Sequence, residues 1–284
     1  MVTTINLKDN SLKNVLKTKI VQKDNYNSNS ELFIYNDLVL KIYDDSIYSS
    51  FNIDVINKIN TRKSFLNNIE ELVLPKDLVI YNNRIVGFSM PYIEGITLDT
   101  IIEEELYSEE EMKKIFFSIL DIINKFSSLP FSFFIGDLHE KNIIIDKNFK
   151  NNIIDSDSFI IDNNKLFVNG NYLVGKYVNH YYNNSELEKI NLTADYYSLL
   201  CIVLNYLFKG IIDDVSNPVS SLKRNSQFNE LFTILENVDK NFILSKDDIN
   251  KIFNFKKTLK YQYKENKELI KLIKKIRNKK IIHK

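Results

Sequence analysis

The side chains with the clearest potential for chemistry lie between Asp137 and Asp155. Asp137 and Asn142 are five residues apart on one predicted loop, and Asp155 follows Asn142 by thirteen residues. Phosphoryl transfer from a nucleotide requires one carboxylate near the attacking hydroxyl, and an amide and a second carboxylate that hold Mg²⁺ against the phosphates. These residues have the side chains that the reaction needs, so we interpret them as candidate phosphoryl-transfer residues.

A predicted hairpin brings these side chains together. Residues 142–146 and 151–154 have the pattern of two short strands around a turn at 147–150. Asp155 then ends a strand that runs antiparallel to the strand after Asn142. Both side chains are therefore expected at the same end of the hairpin.

Phosphoryl transfer also needs a buried lysine that pairs with the nucleotide phosphates. Lys41 lies in the middle of the apolar run 38–43, which predicts a buried strand. Considered alone, a lysine in a strand is more often an edge residue, and two aspartates such as Asp155 and Asp157 are often a simple turn. Asp157 is also an alternative metal ligand, although the spacing from Asn142 favours Asp155.

The first third of the chain is predicted to be mainly β-structure. Five short runs of β-branched and aromatic residues, separated by polar turn residues, predict five strands. They cover residues 19–21, 31–35, 38–43, 78–81 and 84–90. The spacing of apolar residues over 49–69 predicts one helix between the third and fourth strands.

The pattern changes to helices after Gly95. Helices are predicted over 97–106, over 108–129 with Ser108 as the N-cap, and over 194–208. We therefore predict an α+β fold with two lobes, the first a small antiparallel β-sheet with one helix and the second larger and mainly helical. Their predicted extents are residues 1–91, a hinge at 92–95, and residues 96–284, which end in a basic helix.

These residues resemble the motifs of the protein-kinase superfamily. Lys41 matches the strand-three lysine of that family, Asp137 the catalytic-loop aspartate, Asn142 the metal-binding asparagine, and Asp155 the aspartate of the Asp-Phe-Gly motif. The resemblance covers roughly residues 15–230. It implies a bilobal kinase fold, with ATP and Mg²⁺ or Mn²⁺ as cofactors.

Two further segments extend the resemblance. Residues 185–187 resemble a degraded Ala-Pro-Glu motif, and residues 195–200 resemble the kinase helix whose first aspartate anchors the catalytic loop. We therefore expect Asp195 to be buried and to accept hydrogen bonds from the backbone near Gly136, because an unpaired buried carboxylate is costly.

The resemblance also implies a set of nucleotide contacts. The segment from Met90 to Gly95 looks like the inter-lobe hinge, with Met90 as the gatekeeper and Tyr92 and Glu94 as further nucleotide-binding residues. His139 stands where protein kinases have a lysine and aminoglycoside and choline kinases have a histidine. It is expected beside the phosphates or in a hydrogen bond within the loop.

The sequence departs from the kinase pattern in three places. The loop 22–30 has no glycine, no glutamate lies between Lys41 and Glu70, and Gly136 replaces a frequent arginine. Asp54 is the only carboxylate on the predicted helix, so the usual lysine–glutamate ion pair has no evident partner. These departures favour weak activity or a pseudokinase.

The leading interpretation is transfer of phosphate from ATP to a serine or threonine of a protein. Lys41 would orient the phosphates, Asp137 would position the hydroxyl, and Asn142 and Asp155 would hold the metal. One alternative is a pseudokinase scaffold that binds a nucleotide or a partner without turnover. The other is a small-molecule kinase of the aminoglycoside or choline type.

Composition and charge limit the other possibilities. The chain is 44% hydrophobic and 26% charged with a net charge of +1, as in ordinary globular proteins, so the overall charge does not indicate a nucleic-acid partner. The segment 256–284, with 12 basic and 2 acidic residues, predicts a packed amphipathic helix, with nucleic acid or an acidic membrane as the alternative partner.

Cys201 alone cannot form an intrachain disulfide. The absence of a signal-peptide pattern predicts a cytoplasmic protein.

Overall fold

The computed structural model describes the chain in nine stretches: 3–8, 18, 30–43, 46–162, 167–168, 171–172, 175–178, 191–235 and 243–259. They form a mixed α+β protein, as predicted, and divide into two compact units, residues 1–199 and 200–284. Within these stretches no helix combines the length and hydrophobicity that a membrane crossing requires. Four predicted features lie outside the described residues: the strand at 19–21, the glycine-free loop apart from Ser30, the motif at 185–187 and the tail from 260.

The first unit contains a five-stranded sheet with the spatial order β1-β4-β5-β3-β2. Its strands are β1 (Thr3–Leu7), β2 (Ser30–Tyr35), β3 (Leu38–Tyr43), β4 (Asp77–Tyr81) and β5 (Arg84–Pro91). The pairs β2–β3, β3–β5 and β4–β5 are antiparallel, as predicted.

The edge strand β1 corrects the prediction of a purely antiparallel sheet. Thr3 pairs with Asp77 and Leu7 with Tyr81 in a parallel register, so β1 runs in the same direction as β4. A parallel pair requires a long connection between its strands, and the described part of that connection includes β2, β3 and the helix at 46–66. The short polar segment around β1 carried no signal of this long-range pairing.

The turns of the sheet have the residues that their backbone needs. Asn36, between β2 and β3, and Asn82 and Asn83, between β4 and β5, have φ values of 54°, 49° and 59°. Asparagine tolerates this left-handed conformation better than most residues. The predicted hairpins therefore form at the predicted places.

Strand β3 lies between β2 and β5, and its two faces pack against different clusters. Leu40 and Val79 belong to one buried cluster, whereas Val39 packs with Phe88 and with Ile56 of the helix α1 (Ser46–Leu66). Side chains alternate along a strand, so Lys41 shares the face of Val39 and points to the side on which α1 packs. The helix begins three residues earlier than predicted.

Short sheets and helices complete the first unit. Strands β6 (Gly95–Thr97), β8 (Ile143–Asp146) and β9 (Asn151–Ile153) form a three-stranded sheet in the order β6-β8-β9, whose β8–β9 hairpin was predicted. Two pairs were not predicted: β7 (Phe133–Phe134) with β10 (Ile160–Ile161), and β11 (Phe167–Val168) with β12 (Asn171–Tyr172). The helices are α2 (Leu98–Glu103), α3 (Glu109–Phe126) and α4 (Thr193–Leu207), and α4 continues into the second unit.

Helix α3 illustrates how the local sequence determines an element. Ser108 accepts a hydrogen bond from the Glu111 N–H, and the Glu111 carboxylate accepts one from the Ser108 N–H, which completes a capping box. The buried face of the helix carries eight apolar residues, including Ile119 and Ile123. The predicted start and the amphipathic period are both observed.

The second unit has a small aromatic core. The unit contains the end of α4, then α5 (Pro218–Lys223), α6 (Asn229–Ile234) and a helix α7 at 246–259. Phe208 packs edge-on against Phe228 at 5.1 Å between ring centroids, and Phe255 contacts both rings. Cys201 is buried as a free thiol.

Candidate functional site

The loop that carries Asp137 is held from beneath by Asp195, at the start of α4. Asp195 is completely buried, and its two carboxylate oxygens accept the N–H groups of Ile135 at 2.8 Å and Gly136 at 3.2 Å. This is the arrangement expected from the sequence. Gly136 has φ +78°, and a Cβ there would lie 2.9 Å from the Ser158 carbonyl oxygen, so the loop needs glycine at this point.

Burial raises the pKa of Asp195 to about 7, although the two backbone N–H groups favour the charged form. Unfolding exposes this carboxyl to water, where its pKa is near 3.8. The folded protein therefore binds more protons than the unfolded chain between about pH 4 and pH 7. The contribution of this group to stability is present at low pH and is lost as the pH rises through about 7.

We expect this loss to appear when the wild type is compared with Asp195→Asn, whose amide does not titrate. The free energy of unfolding of the wild type minus that of the variant should shrink by up to about 4 kcal/mol from about pH 4 to pH 8. Urea denaturation followed by circular dichroism at several pH values measures this difference. A difference that grows with pH would mean that the ionised carboxylate is the form preferred by the fold.

Asp137 uses both carboxylate oxygens within the site. Oδ1 accepts the Lys176 backbone N–H at 2.9 Å, and Oδ2 lies 3.6 Å from Nε2 of His139. Burial opposes ionisation of Asp137, but His139 and the Lys176 N–H outweigh it and lower the pKa of this carboxyl. Asp137 is therefore a carboxylate held in one orientation, which is suited to accepting a hydrogen bond from a substrate hydroxyl.

His139 is oriented by the same loop. Its Nδ1 accepts the Lys141 N–H at 3.2 Å, which leaves Nε2 to carry the proton toward Asp137. Burial disfavours the charged imidazole, yet Asp137 and Glu140 outweigh it and raise the pKa of His139. The expected hydrogen-bonding role of His139 within the loop is thus observed.

A short segment at 175–178 packs directly on the Asp137 loop, which sequence reasoning missed. Glu140 is buried, and it accepts hydrogen bonds from the Tyr177 hydroxyl and, at 3.1 Å, from Nζ of Lys176. A Cβ on Gly175 would lie 2.4 Å from the Gly136 carbonyl oxygen, so the two backbones approach closely. This contact joins residues almost 40 positions apart, and no local pattern in the sequence indicates it.

The β8–β9 hairpin brings Asn142 and Asp155 to neighbouring positions, as predicted. The Asn142 carbonyl accepts the N–H of Ile154, and Nδ2 of Asn142 donates to the Asp137 carbonyl, each at 3.0 Å. The amide nitrogen of Asn142 is thereby occupied by the loop, so its oxygen is the atom that could bind a metal. Asp155 follows the hairpin in a left-handed conformation, with φ 67° and ψ 46°.

Lys41 meets Asp155 and Asp157 across the first unit. Its ammonium donates to Oδ1 of Asp155 and to Oδ1 of Asp157, the second at 2.8 Å, and the Tyr43 hydroxyl donates to Oδ2 of Asp157 at 2.7 Å. Burial opposes the charge on Lys41, but the two carboxylates outweigh it and raise its pKa, so the lysine stays protonated.

The two carboxylates of this cluster differ in their environment. Burial, together with the charge of Asp157, raises the pKa of Asp155 to about 6 despite the contact with Lys41. Burial acts on Asp157 as well, but Lys41 and Tyr43 outweigh it and lower the pKa of that carboxyl. Tyr43 was not predicted, although its place two residues after Lys41 on one strand puts both on the same face.

The predicted hinge residues have surroundings that differ from one another. Met90 is buried in the apolar cluster of Val39 and Phe88, against which Ile154 also packs. Tyr92 is 49% exposed and Glu94 is exposed. No hydrogen bond or ion pair joins Tyr92 or Glu94 to Lys41 or Asp137 in the described part of the chain, so their nucleotide contacts stay predictions.

The donor set fits Mg²⁺ or Mn²⁺ bound together with a nucleotide. The described residues contain no cluster of three or more His, Cys, Asp or Glu side chains that could hold a metal alone. Asn142 and Asp155 supply oxygen atoms, and magnesium sites of this kind are completed by substrate phosphates and water. The positive charge of Lys41 beside Asp155 suits the phosphates of such a nucleotide.

In comparisons with known proteins, no family model matches this chain, and none of the curated proteins matches its sequence. We therefore base the inference of function on the arrangement of the side chains. Three features carry it: a buried lysine with two carboxylates, an oriented aspartate on an anchored loop, and an amide at the end of the adjacent hairpin.

Proposed function

We propose that this protein is an ATP-dependent kinase that phosphorylates serine or threonine on a protein, using Mg²⁺ or Mn²⁺. The observation that carries the proposal is the contact of Lys41 with Asp155, 114 residues later in the chain. Asp155 follows the same hairpin that begins after Asn142, and Asn142 is bonded to the Asp137 loop. The proposal includes the bilobal kinase fold, with residues 1–91 and 96–284 as its lobes.

Each proposed role follows from an observed environment. Lys41 is a permanently charged donor for the α and β phosphates, and Asp137 is an ionised acceptor for the hydroxyl proton of the substrate. Asn142 and Asp155 would hold the metal, which when bound neutralises charge on the phosphates. His139 would orient the Asp137 carboxylate through Nε2, while Met90 and the hinge, as the resemblance implies, would contact the nucleotide.

Two other functions remain distinguishable by experiment. The histidine beside Asp137 favours a small-molecule kinase, because aminoglycoside and choline kinases resemble this sequence at that position. The buried Asp195 anchor favours the protein-kinase branch. A pseudokinase scaffold is less well supported, since Lys41, Asp137, Asn142 and Asp155 all have the side chains that turnover needs.

The test is incubation of the full chain with ATP labelled on the γ-phosphate and with Mg²⁺ or Mn²⁺. We expect metal-dependent label on serine or threonine of the protein itself or of an added protein, located by mass spectrometry. Asp155→Asn should reduce labelling to background because it removes a metal ligand, whereas Asp121→Asn, on the exposed face of α3, should label normally.

The other outcomes identify the alternatives. Label on an aminoglycoside or on choline, with none on protein, would indicate a small-molecule kinase. Nucleotide binding in calorimetry without transfer would indicate a pseudokinase. If the protein neither binds a nucleotide nor transfers phosphate, the proposal of a nucleotide-dependent function is overturned.

A further inference from the structure

The buried lysine of this site lacks the helix carboxylate that would ordinarily hold it. The only carboxylate on α1 is Asp54, which is exposed. Among the described residues, the carboxylates that contact the Lys41 ammonium are those of Asp155 and Asp157. In the described part of the chain, Lys41 therefore depends on these two aspartates for an opposite charge.

Asp157 has the environment of a fixed structural partner. Its side chain is only 8% exposed, and each of its oxygens has a donor, Lys41 on one and the Tyr43 hydroxyl on the other. Lys41 and Tyr43 are on the same face of β3, so one rigid strand presents both donors. The short helical turn Ser156–Ser158 that carries Asp157 packs against α1, which fixes its position.

Asp155 has the environment of a ligand that is open on one side. Its side chain is 29% exposed, compared with 8% for Asp157, and only its Oδ1 contacts Lys41. Its left-handed backbone turns the chain sharply at the end of the hairpin that also carries Asn142. Asp155 therefore keeps a solvent-accessible side-chain surface that Asp157 largely lacks.

The charges of the cluster support the same division of roles between Asp157 and Asp155. Lys41 and Asp157 balance one another, and Tyr43 adds a neutral donor, so these three groups form a satisfied buried unit. Asp155 also contacts Lys41, so the three charged side chains together carry one net negative charge, which a further cation at Asp155 would offset. A divalent metal ion bound by Asp155 would supply that cation.

We propose that Asp157 is the positioning residue that holds Lys41, with Tyr43 fixing its second oxygen, and that it replaces a carboxylate on α1. Asp155 is then left to bind the metal. This inference rests on the proposed kinase function for its kinetic consequences, but the contact of Lys41 with Asp157 is testable without any activity.

The kinetic test compares Asp157→Asn with Asp155→Asn in the full-length protein. Asp157→Asn should lower kcat by roughly 10- to 100-fold, because a misplaced Lys41 ammonium would no longer position the phosphates for transfer. The metal concentration that gives half of the maximal rate should not change. Asp155→Asn should raise that metal concentration or abolish the rate. The inference is overturned if Asp157→Asn raises the metal requirement, or if its kcat equals that of the wild type.

Two further variants control this comparison. Tyr43→Phe keeps the ring and removes the hydrogen bond to Asp157, so it should lower kcat in the same direction but less, again without changing the metal requirement. If Asp157→Asn does not fold, Tyr43→Phe takes its place in the comparison. Asp162→Asn removes an exposed aspartate from the same region, where it pairs with Arg62, and should leave the rate unchanged.

A second measurement does not depend on catalysis. Brief treatment with acetic anhydride and mass spectrometry give the acetylation rate of Lys41, with the exposed Lys114 as the internal reference. We expect Asp157→Asn to raise acetylation of Lys41 severalfold, since the ammonium loses its fixed partner, and Tyr43→Phe to raise it less. Acetylation equal to that of the wild type in both variants would overturn the inference.

The two measurements separate the two proposals. If the wild type transfers no phosphate, the proposed function fails, and the acetylation rates alone decide whether Asp157 holds Lys41. If the wild type is active and acetylation of Lys41 responds only to Asp155→Asn, the proposed function stands and the assignment of Asp157 is wrong.

Discussion

Asp137→Asn is expected to lower kcat for phosphoryl transfer by about 10²- to 10⁴-fold, with little change in nucleotide affinity. The variant keeps an oxygen that can accept the Lys176 N–H, so the loop should retain its shape. It loses the charge that accepts the proton of the substrate hydroxyl, and a positioned base contributes rate factors of this size. Lys41 and Asp155, which are proposed to contact the nucleotide and its metal, are unchanged.

The measurement is kcat from initial rates, together with the dissociation constant of an ATP analogue by calorimetry. Asp121→Asn, an exposed aspartate on α3, is the matched control for loss of one carboxylate charge. Equal loss of affinity and rate would mean that Asp137 holds the nucleotide and does not act on the hydroxyl. A wild-type rate in Asp137→Asn would remove it from the mechanism.

Asp195→Ala is expected to destabilise the first unit by about 2–4 kcal/mol, because the N–H groups of Ile135 and Gly136 would be buried without acceptors. Part of that cost is offset, since a buried carboxylate with a raised pKa is also removed. The Asp137 loop would lose its anchor, so kcat should fall together with stability.

Urea denaturation at pH 7, followed by circular dichroism, measures the loss of stability. Asp121→Ala serves as the control, since it removes a carboxylate from an exposed helical position and should change stability by less than about 1 kcal/mol. A denaturation midpoint for Asp195→Ala equal to that of the wild type would show that the loop does not depend on this anchor.

Elements with strong local signals were predicted well from the sequence. The helix start at the N-cap Ser108, the asparagine turns at Asn36 and Asn82, and the hairpin that leads to Asp155 are all observed. Each depends on residues within a few positions of one another, so the backbone preferences and hydrogen bonds that form it are encoded locally.

The parallel strand β1 could not be predicted in the same way. Thr3 and Asp77 are 74 positions apart, and their pairing depends on how the intervening strands and α1 pack. The segment 175–178 is a similar case, because its contact with the Asp137 loop exists only when both backbones are brought together. Neither contact leaves a periodic pattern in the chain.

The sequence by itself singled out the candidate residues for the proposed phosphoryl transfer: Lys41, Asp137, Asn142 and Asp155, whose types and spacing suit that chemistry. Only the tertiary structure decided how they are supported. It places Asp195 beneath the loop, as the helix pattern predicted, but it also gives Lys41 a second carboxylate partner. The physical reason is that a buried charge selects its partners by proximity in three dimensions, and proximity of residues over 100 positions apart is a property of the folded chain.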